Sequence, residues 1–101
     1  MPKFMCRATY TLQGFRSLKD LLPTQRVAAF KRAFAGTPIT FEAMYFTAGA
    51  SDIGHSFIIF DAPDLQALMA MLLSRAESGD MHFEVTPLLT PEEMDAALKA
   101  Y

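Results

Sequence analysis

Two short stretches of this chain carry apolar residues on both sides of an extended backbone. In residues 41–46, Phe41, Ala43 and Tyr45 alternate with Met44 and Phe46. Residues 57–60 repeat the pattern, setting Phe57 and Ile59 against Ile58 and Phe60. Successive strand side chains point to opposite sheet faces, so strands of this kind need cover on both. Residues 4–11 alternate more plainly: Phe4, Cys6, Ala8 and Tyr10 on one face, Met5, Arg7, Thr9 and Thr11 on the other. They read as a first strand, which Gly14 breaks.

Helical spacing governs the segments between the strands. A helical region follows Gly14 in two pieces, because Pro23 opens a helix but would damage the middle of one. Beyond it, Val27, Phe30 and Phe34 form an apolar stripe, and Gln25, Arg26, Lys31 and Arg32 are assigned to solvent. Gly36 and Pro38 stop this helix, and a second strand spans 39–48. A turn-rich connection then leads to a third strand at 55–61, so the two should form a hairpin. Pro63 is placed at the start of the next helix, where Leu65, Leu68, Met69, Leu72, Leu73 and Ala76 recur at helical spacing until Gly79. Residues 81–89 make a fourth strand, with Phe83 and Val85 opposite His82, Glu84 and Thr86. Thr90-Pro91-Glu92-Glu93 is a strong start for a terminal helix, because Thr90 and Glu93 can cap each other's backbone amides.

This order predicts an α+β, ferredoxin-like βαββαβ domain over residues 1–101. It has a four-stranded antiparallel sheet in the order fourth, first, third, second, and an appended C-terminal helix. Right-handed crossovers place both intervening helices on one sheet face. The other face therefore calls for a partner, expected to be a second copy of the same chain in a homodimer.

Composition narrows the setting. The 101 residues suffice for one domain, and 51% hydrophobic content with 20% charged argues against disorder. A formal net charge of -2 with scattered lysines and arginines makes nucleic acid an unsuited partner. The longest uninterrupted apolar run, 67–73, is too short to span a bilayer, so no membrane role is expected. A single cysteine, Cys6, forms no intrachain disulfide, and the N-terminus lacks a signal-peptide pattern, which together point to the cytoplasm.

Three segments carry a family resemblance. Arg7-Ala8-Thr9-Tyr10-Thr11 followed by Gly14 is similar to the opening strand of GYD-domain proteins. Phe41-Glu42-Ala43-Met44-Tyr45-Phe46, then Gly49 and Asp52, resembles the segment that names the family. Residues 86–95 resemble the tail of its longer members. The resemblance implies a dimeric α+β barrel, in which two sheets pack face to face, and implies no particular reaction. Related barrels include small monooxygenases, muconolactone-isomerase-like enzymes and haem-degrading enzymes, an analogy of fold alone. Two departures stand out: Ser51 occupies the position of the usual tyrosine, and the interval from Gly49 to Ala62-Pro63 is about three residues longer than in the family pattern.

Candidate chemistry is sparse. Asp52, His55 and His82 are the candidate proton-moving groups, Asp52 doubling as an ordinary turn-former and the histidines as partly exposed strand-start residues. Arg7, Tyr10, Glu42, Tyr45 and Glu84 are candidate ligand-binding residues. Arg7 and Glu42 would pair, or hold a polar ligand, if both face the bare side, and His82 and Glu84 share a strand face. No cysteine or third histidine completes a metal-binding spacing, and no phosphate-cradling glycine loop exists, so no metal or cofactor is expected. Cys6 reads as an inert small hydrophobe. The leading functional expectation is a small-molecule-binding or sensory homodimer. A cofactor-independent monooxygenase or isomerase acting on an aromatic or quinone-like substrate, and a purely structural dimer, are the alternatives.

Overall fold

Alternation in the first strand is realised residue for residue. A computed structural model of the protein describes residues 1–47, 55–77, 79 and 81–101. In it β1 runs Lys3–Tyr10, with Phe4, Cys6, Ala8 and Tyr10 buried and Lys3, Met5, Arg7 and Thr9 half-buried. The elements that follow are α1 (Leu12–Ser17), α2 (Pro23–Phe34), β2 (Thr40–Phe46), β3 (His55–Asp61), α3 (Leu65–Ala76), β4 (Met81–Leu88) and α4 (Pro91–Ala100). The four strands form one antiparallel-paired sheet in the order β2-β3-β1-β4, as the sequence predicts. Pro87 sits in β4, an edge strand, where its missing N–H costs no ladder bond on the outer side.

Directly paired residues share a face, so the register sorts the side chains. One face carries Phe4, Cys6 and Ala8 of β1, Ile58 and Phe60 of β3, Phe41 and Met44 of β2, and Phe83 and Val85 of β4. These residues form the core with Phe34 of α2 and Leu68 and Leu72 of α3. Both crossover helices thus lie on this face. Its aromatic centre is well defined: Phe34 meets Phe60 edge-on at 5.5 Å between ring centroids, and Phe41 stacks on Phe30 at 6.1 Å.

Several local expectations are corrected. Phe41 does not share a face with Ala43 and Tyr45, because the β2–β3 register shifts at Glu42. A bulge there inserts an extra residue, which sends Phe41 to the core and Ala43 and Tyr45 to the other side. Gly14 lies inside α1 rather than ending β1; its N–H donates to Thr11 Oγ1, which starts that helix. Pro63 precedes the next helix by more than one position, and Asp64 caps it by accepting from the Ala67 N–H at 2.8 Å. Arg26 is half-buried instead of solvent-facing, since its guanidinium donates to Ser17 Oγ and to the Leu21 carbonyl. Leu65 and Leu73 are exposed, so α3 buries a narrower stripe than its spacing suggests. After α2 the chain turns at Gly36, whose φ of 81° lies in the left-handed region that favours glycine.

The terminal helix α4 has the reciprocal cap read from the sequence. Glu93 N–H donates to Thr90 Oγ1 at 3.1 Å, and Thr90 N–H donates to the Glu93 carboxylate at 3.0 Å. No residue of α4 is buried, and Met94, Leu98 and Tyr101 stand exposed. The helix therefore leaves the open sheet face uncovered. Among the described residues no helix is long and apolar enough to cross a membrane.

Two outcomes are expected. Phe60 has no exposed surface, so Phe60→Ala should lower the unfolding free energy by about 3–5 kcal/mol in a urea titration. The bonds from Thr90 hold the Glu93 carboxyl below its ordinary range. A lowered folded-state pKa stabilises above the ordinary glutamate value and ceases to do so as pH falls through the lowered one. Amide protection at the start of α4, referred to intrinsic exchange rates, should thus decline as pH falls past the ordinary glutamate value and through the lowered one, and decline at neutral pH in Thr90→Ala.

Candidate ligand-binding site on the open sheet face

The face without helices is laid out in rows across β4, β1, β3 and β2. At one end Leu88, Lys3, Asp61 and Thr40 lie side by side. The next row is Thr86, Met5, Ile59 and Ala43, followed by Glu84, Arg7, Phe57 and Tyr45. His82, Thr9 and His55 make the last. An apolar band of Met5, Ile59 and Phe57 is thus enclosed by charged or polar side chains at both ends.

The Lys3 end is internally satisfied. Lys3 bonds Glu42, and its ammonium also donates to Asp61 at 3.0 Å. The Glu42 bond first, and then the Asp61 bond, raise the Lys3 pKa above its ordinary value. Glu42, which the sequence offers as a partner for Arg7 or a ligand-holding group if both face the bare side, pairs with Lys3 instead, because the bulge sets it at the opposite end of the face.

Arg7, Thr9, His55 and Glu84 come together at the other end. Thr9 Oγ1 lies 2.9 Å from His55 Nδ1, and Arg7 Nη2 lies 3.4 Å from His55 Nε2. A guanidinium has only donors, so Nε2 must accept; this assigns the proton to Nδ1, from which it is donated to Thr9. The His55 ring is held at both nitrogens. It is also only 9% exposed, in contrast to the partly exposed strand-start histidine of the sequence reading, because Thr9 and Arg7 of the adjacent strand close over it. The Glu84 carboxylate stands 3.9 Å from Arg7 Nη1, outside hydrogen-bonding distance, on a side chain 76% exposed. The Arg7 Nε is buried and has no hydrogen-bond partner.

The remaining candidates divide. His82 flanks Thr9 on the opposite side from His55 and is exposed, so the two histidines share a row with Thr9 between them. Tyr45 is on the same face, 67% exposed. Tyr10 is on the helix-covered face instead, buried, with its hydroxyl donating to Ser56 Oγ at 3.1 Å and its ring stacked on Phe46. Burial raises its pKa, against the opposing pulls of Ser56 and Arg26. Asp52, with Gly49 and Ser51 of the family segment, lies outside the described residues. Thr9 was missed as a site residue, although its place two residues beyond Arg7 on the same strand face was a usable signal. Lys3 was missed in the same way.

Clefts elsewhere are open and lie on the helix side. One, about 640 Å³, is bordered by Leu12, Gln13, Arg16, Ser17 and Asp20. Another of about 210 Å³ lies between α3 and β4, with Leu72, Leu73 and Phe83 along it and His82 at its edge. Among the described residues no three His, Cys, Asp or Glu side chains converge as metal ligands.

An α+β domain with a ferredoxin-like sheet, helices on one face and a mixed polar and apolar surface on the other defines the structural class. The sequence profile of the GYD domain matches residues 4–98, and the chain belongs to that family. No curated protein and no solved structure was found to match it.

Cys6 is the one thiol, and it sits in the core without exposed surface. Burial pushes its pKa up to about 12, so almost no thiolate exists in the native state near neutrality. A thiol reagent at pH 8 should leave the folded protein unlabelled and modify Cys6 fully in denaturant, as read by intact mass.

Proposed function

We propose that the protein is a homodimer assembled through the open sheet face and that it binds a small molecule there, working in a reducing compartment as a binding or sensory domain. The observation that carries this reading is the band of Met5, Phe57 and Ile59 on a sheet face that none of the four helices covers. Apolar area left in water contributes nothing to stability, and removing it gains roughly 25 cal/mol per Å². A second copy offers an identical band, and a two-fold contact places like against like. Membership of the GYD family agrees with such an assembly. The polar groups at either end would then border an enclosed space instead of facing solvent.

Catalysis has weaker support. His55 has one ring nitrogen bound to Thr9 and the other beside Arg7, which orients the ring without leaving it a vacant acceptor for a substrate proton. The arrangement suits recognition better than proton transfer.

Light scattering on micromolar protein should return twice the 11.2 kDa of one chain. Ile59→Lys should reduce the mass to that of one chain, because the new charge would be trapped in the contact, whereas Leu73→Lys on the exposed side of α3 should not. A single-chain mass for the wild-type protein would overturn the assembly.

A further inference from the structure

We propose that Arg7 is the anchor of a binding site for a small organic acid, a carboxylate with an apolar body, on the open sheet face. The proposal rests on the ligand-binding reading above and gives that site its ligand class. Its starting point is an arginine with too few partners. Arg7 Nε is shut off from water and bonds to nothing, Nη2 makes one long contact to His55 at 3.4 Å, and the Glu84 carboxylate stops at 3.9 Å from Nη1. The Arg7 side chain as a whole is 43% exposed, but its Nε is a buried donor without an acceptor, which is costly. The group that answers a planar guanidinium edge with two parallel bonds is a carboxylate.

The surroundings select the rest of the molecule. Phe57 is the direct cross-strand neighbour of Arg7, and Met5 and Ile59 form the row beside it. A ligand whose acid group meets Arg7 therefore has an apolar surface on which to lay a ring or short chain. Charge sets the valence. Lys3, the other cation of this face among the described residues, is already bonded to Glu42 and Asp61. Arg7 is the cation of this face, among the described residues, that no carboxylate hydrogen-bonds, so a single carboxylate suits it better than a phosphate dianion. Glu84 is the competitor, a carboxylate near the same guanidinium but too far and too exposed to satisfy it.

Isothermal titration calorimetry with benzoate and hexanoate, against benzamide and inorganic phosphate as controls, tests the site. Saturable binding of the two acids and none of the controls is expected. Arg7→Met should weaken binding by about tenfold or more. Arg7→Lys keeps the charge but loses the fork, and it supplies the same comparison if Arg7→Met fails to fold. Glu84→Gln should tighten binding, which a merely structural Glu84 would not do. No binding of either acid at millimolar concentration, or equal binding by the Arg7 variants, overturns the proposal. Light scattering on the same samples separates the two readings. A dimer that binds no acid ends this proposal and leaves the assembly standing, whereas a single chain that binds benzoate through Arg7 does the reverse.

Discussion

The pairing register of β1 with its two neighbours is the constraint on which the rest of the molecule depends. Lys3 opposite Asp61 and Thr9 opposite His55 on one side, and Lys3 opposite Leu88 through Thr9 opposite His82 on the other, set every side chain of three strands on its face. Side chains alternate with a period of two, so a slip of one residue would carry Phe4, Cys6 and Ala8 out of the core and Arg7 into it. The cost of burying an unpaired guanidinium beside Leu68 and Phe60 makes that slip prohibitive. Hydrophobic burial and charge exclusion therefore enforce the same register.

That register also creates the open sheet face. With both crossover helices on the Phe4 face, the Arg7 face is left to the sheet alone, and its composition is neither a solvated exterior nor a plain core. Charged groups occur at its two ends and are treated differently. Lys3 is bonded to both Glu42 and Asp61, while Arg7 retains an unbonded nitrogen next to Phe57. A surface meant only for water would have no reason to withdraw that nitrogen from it, and one meant only for packing would have no reason to keep the charge.

The family match spans nearly the whole chain, and the agreement between it and the sheet topology has a physical basis. Two split strand–helix–strand units joined by a hairpin admit few arrangements once crossovers are right-handed. The topology leaves the uncovered face to carry side-chain chemistry of its own. There Thr9 supports His55, and Lys3 holds Glu42.

Periodicity was enough to place the four strands, the helices between them, the sheet order and the cap of α4, because each depends on residues close in sequence or on chain-wide rules of handedness. It also showed that one face would lack cover, since that follows from counting helices against two-sided strands. Gly14, Pro63 and Arg26 were mistaken through local contacts, whereas Phe41, Glu42 and His55 were decided by neighbours distant in the chain. The bulge at Glu42 arises from how β2 fits β3, and it moved Phe41 into the core and Glu42 towards Lys3. His55 is buried, and its ring meets Thr9 and Arg7, 46 and 48 residues away. Alternation tells which side of a strand a residue takes, but only the paired sheet decides what stands next to it there, because hydrogen bonds and ion pairs act over a few ångströms of space and not along the chain.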